Sequence, residues 1–268
     1  MSKPSILFIP GSYTLLSVFQ PLFDAVSREG YEIKGIHLPT VGPSSRQGRD
    51  TPGPSMYDDA AVIAQEAERL ADQGKDVILM GHSYAGVPMS QSVKGLGKEQ
   101  RKAQGKQGGI VRLAYIACLV PAIGRSAGSL LSGLPDEKRP RISIDQNGWT
   151  SIDDPVVTAG LICQKLTFKE GETLVRGFAK HSAQSFGNEL TYAGYNDVAV
   201  SYLLCEEDLA GPPGFQRDMI AMIEEASGQK VDVTGIKADH FPILTAEKET
   251  IEWVLNIVEN YSRTNNPG

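Results

Sequence analysis

A short apolar run, Val77-Ile78-Leu79-Met80, leads directly into Gly81-His82-Ser83-Tyr84-Ala85-Gly86, and the chain can continue as a helix from Tyr84 onward. No other feature restricts the fold as tightly. A serine among small residues on a sharp strand-to-helix turn has its hydroxyl lifted out of a sheet and presented to a second molecule. The neighbours must be small because the turn is strained and brings strand and helix close together. Gly-x-Ser-x-Gly by itself says little, so its meaning depends on what surrounds it.

Strand and helix patterns alternate around the turn. Residues 6–9 read as a strand ended by Pro10-Gly11-Ser12, 19–28 as a helix closed by Gly30, and 31–37 as a strand stopped by Pro39. After the Gly-, Pro- and Ser-rich loop 40–54, a helix is expected to start at Asp58 or Asp59, with Ala60, Ile63, Ala67 and Leu70 along one face. The helix after Ser83 should run to Gly95 or Gly97. Strands follow at 111–119, 200–205 and 231–233, and helices at 215–226 and 247–261. This rhythm predicts an α/β fold: one domain over 1–268, with a mostly parallel central sheet flanked by helices. Right-handed crossovers place the loops after the strands on one edge, where such sheets build sites. Residues 121–196 break the rhythm. Helical pieces at 155–166 and 172–180 lead us to expect an inserted helical cap over that edge, since unstructured loops of such length are uncommon. The basic stretch 98–106 reads as a solvated surface loop.

Composition narrows the function classes. A formal net charge of −6 gives nucleic-acid binding no electrostatic support. No apolar run is long enough to span a bilayer, and the first one, already strand 6–9, is too short for a signal peptide. Cys118, Cys163 and Cys205 match neither a disulfide framework nor a zinc pattern, which suits a reducing, cytoplasmic setting. No ligand cluster calls for a metal or cofactor. The partner expected is a small-molecule substrate, neither membrane nor nucleic acid; the oligomeric state stays open, a homodimer included.

Serine hydroxyls need a base, and histidine titrates in the right range. Of four histidines, His82 is adjacent to Ser83 and its side chain diverges, His37 ends an early strand, and His181 falls in the expected cap. His240 follows the last strand in Ala238-Asp239-His240-Phe241-Pro242, on the same edge as Ser83, and is the expected base. A carboxylate must orient it. Glu206-Glu207-Asp208 follows strand 200–205 on that edge and supplies candidates; Asp239 reads as a turn former. Acyl transfer further needs donors for an oxyanion, met by the backbone N–H of Tyr84 and that of Ser12 after the first strand. Tyr13, Tyr84, Leu119, Trp149 and Phe241 are candidates to line an apolar pocket.

Taken together, these residues resemble the α/β-hydrolase superfamily, and within it the compact branch of methylesterases and hydroxynitrile lyases. The resemblance covers nearly the whole chain, through Phe8-Ile9-Pro10-Gly11-Ser12, Gly81–Gly86, Tyr202–Asp208 with Pro212-Pro213 and Gln216-Arg217, and Ala238-Asp239-His240. It implies Asp208 as the acid, giving the order Ser83, Asp208, His240, and it implies Ser12 and Tyr84 as the oxyanion donors. Two positions depart from the family: Pro10-Gly11 stands where His-Gly is frequent, and Ala85 where glycine is usual. The activity expected is hydrolysis of a small carboxylic ester, lactone or related acyl substrate through an acyl-serine. A lyase, decarboxylase or cyclase on the same scaffold and a ligand receptor are the alternatives. The lysine that follows the catalytic histidine in the lyases is absent from Phe241-Pro242-Ile243.

Overall fold

The computed structural model describes residues 3–265. Six strands form one parallel sheet: β1 (Ser5–Ile9), β2 (Ile33–Gly35), β3 (Asp76–His82), β4 (Gly109–Ile116), then, much later, β8 (Ala199–Cys205) and β9 (Asp232–Ile236), in the spatial order β2-β1-β3-β4-β8-β9. β2 and β3 lie on opposite sides of β1, so the strand order reverses at β1/β3, the place where parallel sheets open a crevice.

Both sheet faces are covered, and the strands show it residue by residue. Leu7, Ile9, Val77 and Leu79 pack into one apolar layer, Ile6, Phe8, Ile78 and Met80 into the other, and all eight are fully buried. Alternation at period two turns successive side chains to opposite faces, and burial on both faces makes the strands continuously apolar. Helices α1 (Gln20–Arg28), α2 (Met56–Ala71), α3 (Gly86–Ser92), α4 (Lys98–Ala103) and, in the C-terminal part, α9 (Pro213–Ser227), α10 (Pro242–Thr245) and α11 (Glu247–Asn265) complete the sheet's surroundings. Among the described residues no helix is long and apolar enough to cross a membrane.

Several local expectations change. α2 starts neither at Asp58 nor at Asp59: Ser55 caps it, and Asp58 reaches back to the Ser55 N–H at 2.8 Å in a capping box. Asp59 is fully buried and accepts bonds from the Thr40 N–H, the Thr40 hydroxyl and the Tyr84 hydroxyl. α3 ends at Ser92, short of Gly95. Stretch 98–106 is solvent-facing over Lys102–Lys106, as expected, but residues 98–103 are not a loop. They form α4, and Arg101 is 1% exposed, bound to Asp72 at 2.7 Å and to the carbonyls of Gln107 and Gly108.

Between β4 and β8 the chain holds four helices, α5 (Ala127–Leu131), α6 (Pro155–Ile162), α7 (Phe168–Arg176) and α8 (Ala183–Gly187), and also a three-stranded antiparallel sheet, β5 (Ile142–Ile144), β6 (Trp149–Ile152) and β7 (His181–Ser182). The insertion thus holds helices, as expected, and also a small antiparallel sheet that the sequence reading did not include. β7 has two residues and pairs with β6 across roughly thirty others, so no period-two run announces it. Thr167 caps α7, which ends at Arg176, so 177–180 is not helical as the sequence pattern suggested.

Candidate active site

Ser83 stands at the end of β3 with φ of 56°, a left-handed backbone that is costly for a residue with a side chain. Its neighbours make room for it. A Cβ on Gly81 would meet Ala85 Cβ at 2.7 Å and Met89 Sδ at 2.3 Å, and one on Gly86 would meet the Leu119 carbonyl oxygen at 2.4 Å. Ala85 is thus accommodated in place of the usual glycine because Gly81 faces it. The Leu119 N–H donates to the Ser83 carbonyl at 2.9 Å, tying the turn to the loop after β4.

Three loops on the C-terminal edge converge here. Ser83 Oγ lies 2.8 Å from His240 Nε2, and His240 Nδ1 lies 2.7 Å from Asp208 Oδ2. Asp208 accepts only, so Nδ1 carries the proton and the Nε2 lone pair faces the serine hydroxyl. Asp208 is buried, and its Oδ1 accepts from the N–H groups of Ala210 and Gly211 at 2.8 Å each. Burial drives the His240 imidazolium down, but the charge and hydrogen bond of Asp208, with the charge of Asp239 added, outweigh it and raise the group above its ordinary 6.5.

Neighbouring acids have other tasks. Glu207 pairs with Lys165 at 2.7 Å. Asp239 turns away from Ser83: Oδ1 accepts from the Phe241 N–H and Thr245 hydroxyl, and Oδ2 from the Lys165 N–H at 3.0 Å, which fastens the insertion to the histidine loop. Ser12 borders the serine because its predecessor can approach so closely. A Cβ on Gly11 would sit 3.1 Å from Ser83 Cβ and 3.0 Å from His82 Nδ1. The Tyr84 backbone opens the turn that becomes α3, while its side chain is fully buried against His181 and Phe186.

Two residues already noted in the sequence have supporting roles that it did not reveal. Gln216, in the first turn of α9, bonds both backbone groups of Cys205 and the Gly211 carbonyl, so it shapes the loop that carries Asp208. Its place in the Pro212-Pro213 to Gln216-Arg217 stretch after Asp208 was the only signal for it. His82 places Nε2 2.6 Å from the His240 carbonyl oxygen; burial first, and the nearby His240 second, hold it neutral.

A cavity of about 1110 Å³ opens onto Ser83 and His240. The sheet edge supplies Ser12, Tyr13, Leu119 and Phe241 to its wall, and the insertion supplies Leu131, Ile142, Val157 and Phe178. Tyr84 and Trp149, both expected in this lining, are instead buried in packing contacts: Trp149 donates its indole N–H to the Thr51 carbonyl and covers Gly48.

A parallel sheet with a serine turn after β3 and an acid and a histidine after β8 and β9 defines a class, and residues 6–253 match the model of the alpha/beta hydrolase family; the chain belongs to that family. Among curated proteins it is 28% identical to the probable hydrolase R7 of Phoma sp. (strain ATCC 20986 / MF5453), over 90% of this chain and 93% of that one. In fold it is similar to a pyrethroid hydrolase from Sphingobium faniae JZ-2 (TM-score 0.74, 18% identity, 96% of this chain and 98% of that one). It is similar in the same way to polyneuridine aldehyde esterase (TM-score 0.71, 16% identity, 96% and 99%).

Proposed function

We propose that the protein is a serine hydrolase of carboxylic esters, lactones or related acyl compounds, and that Ser83, His240 and Asp208 are its nucleophile, base and acid. The observation that carries this reading is the unbroken hydrogen-bonded chain from Ser83 Oγ through His240 to Asp208, at 2.8 and 2.7 Å. Ser83 Oγ adds to the substrate carbonyl as its proton passes to His240 Nε2. The oxyanion that forms is met by the N–H groups of Ser12 and Tyr84. Collapse of the tetrahedral adduct expels the alcohol, which takes the proton from His240 and leaves an acyl-Ser83. Water, deprotonated by His240, then releases the acid. No step needs a metal or an organic cofactor.

We read residues 121–196 as a cap that sets substrate choice, because their side chains form one wall of the cavity. At about 1110 Å³ the cavity exceeds what a minimal ester fills, so bulky acyl or alcohol groups fit better than the small substrate expected from sequence. The names of the proteins it resembles are consistent with this reading: a probable hydrolase by sequence, and a pyrethroid hydrolase and polyneuridine aldehyde esterase by fold.

The test uses a fluorophosphonate probe and para-nitrophenyl esters of graded acyl length. The wild-type protein should be labelled at Ser83 and turn over the esters many times. Ser83→Ala should stay folded and lose both properties. A Ser83→Ala variant with undiminished turnover would refute the reading, and labelling without an acyl-enzyme on true substrates would favour non-hydrolytic chemistry.

A further inference from the structure

Tyr13 follows Ser12 directly and holds a left-handed backbone, with φ of 63°. All three of its polar groups are bound by the inserted segment. Its N–H donates to His181 Nδ1 (3.4 Å), its carbonyl accepts from the Ala179 N–H (2.9 Å), and its hydroxyl meets Thr150 Oγ1 (2.8 Å). Thr150 in turn donates to the His181 carbonyl at 2.8 Å, which makes the Tyr13 hydroxyl the donor of that pair. His181 is completely buried. Because its Nδ1 accepts, the ring proton sits on Nε2, which donates to Ser185 Oγ at 2.9 Å; the Ser185 hydroxyl in turn donates to the Ser182 carbonyl at 2.9 Å. The ring is also wedged edge-on against Tyr84, with centroids 4.8 Å apart. One imidazole therefore touches the residue after Ser12 and the residue after Ser83.

We propose that His181 is a positioning residue for the oxyanion hole: through Tyr13 and Tyr84 it holds the Ser12 and Tyr84 N–H groups at the geometry acyl transfer requires, so the insertion builds part of the reaction site as well as covering it. This rests on the serine-hydrolase reading above. Histidine suits the task because a flat ring fills the gap between the two tyrosines while offering one acceptor and one donor on fixed sides. Burial also pushes its pKa down to about 3, so it brings no charge beside the oxyanion.

His181→Phe keeps the ring and deletes the Nδ1 acceptor; His181→Asn returns an acceptor near the same place. With para-nitrophenyl butyrate, His181→Phe should lower kcat by roughly tenfold to a hundredfold and leave KM within about twofold, a smaller loss than deletion of a whole oxyanion donor. Benzyl trifluoromethyl ketone, which forms a tetrahedral adduct with Ser83, should lose affinity by the factor lost in kcat, whereas benzyl methyl ketone should bind as before. Asn should recover most of the loss. The proposal is overturned if His181→Phe retains wild-type kcat, if both ketones weaken alike, or if Asn is no better than Phe. Should His181→Phe not fold, nitrogen NMR of the wild-type imidazoles decides: His181 protonated on Nε2 alone supports the proposal, and a proton on Nδ1 refutes it. Ser83 labelling and wild-type turnover test the underlying reading separately, so a labelled, active enzyme indifferent to His181→Phe rejects this inference alone.

Discussion

Replacing Asp208 by asparagine should inactivate the enzyme without unfolding it, and the contacts of the carboxylate say why. Its Oδ1 is held by two backbone N–H groups, from Ala210 and Gly211, both at 2.8 Å. An asparagine must keep its carbonyl oxygen on those two donors, so its NH₂ group faces His240 Nδ1. A nitrogen that faces a donor must accept, which moves the imidazole proton to Nε2 and points it at Ser83 Oγ. The base then has no lone pair for the serine. A wrong tautomer of this kind costs about 10⁴ in kcat in serine proteases, and we expect a similar order here. The acidic limb of kcat/KM shifts as well. In the wild type Asp208 raises His240 above its ordinary value, so activity should rise with pH through a midpoint above 6.5. In Asp208→Asn the larger raising charge is gone and only that of Asp239 remains against burial, so the limb of the residual activity should move to lower pH. The assay is a pH series of para-nitrophenyl butyrate hydrolysis with thermal unfolding run in parallel. A folded Asp208→Asn variant within tenfold of wild type, or one whose acidic limb does not move, would refute the tautomer argument.

Gly86→Ala should destabilise by about 1–3 kcal/mol in urea unfolding and depress activity, because the new Cβ has only 2.4 Å to the Leu119 carbonyl oxygen and the Ser83 turn must shift to admit it. Arg101→Met should cost about 1–3 kcal/mol, since it strips the buried donors from the Gln107 and Gly108 carbonyls, while kcat of the folded fraction stays at wild type. Leu131→Trp narrows the wall contributed by the insertion: KM should rise for long acyl esters and stay near wild type for acetate. Equal effects on both esters would mean that the cavity is not where the acyl chain lies.

Much of the frame could be read from residue order alone. The apolar runs before Pro10, Ser83 and Glu206 are continuous because their strands are buried on both faces, and that pattern survives in one dimension. The turn at Ser83 was legible for the same reason: Gly81 and Gly86 are near it in sequence as well as in space. Residue order also put Ser83, the 206–208 acids and His240 after strands of a parallel sheet, and therefore on one edge. Residue order alone left the acid open among 206–208; the family resemblance implied Asp208, and the tertiary contacts show how the acids divide their tasks. Glu207 and Asp208 are adjacent in the chain, yet one pairs with Lys165 of the insertion and the other is clasped by Ala210, Gly211 and His240. The insertion itself was the least legible part. A two-residue strand at His181 and the clamp on Tyr13 are set by contacts between residues up to 168 positions apart, and such contacts impose no period on the local sequence. Secondary structure driven by burial writes itself into neighbouring residues; a hydrogen bond across the molecule leaves its mark only where the folded chain brings the two partners together.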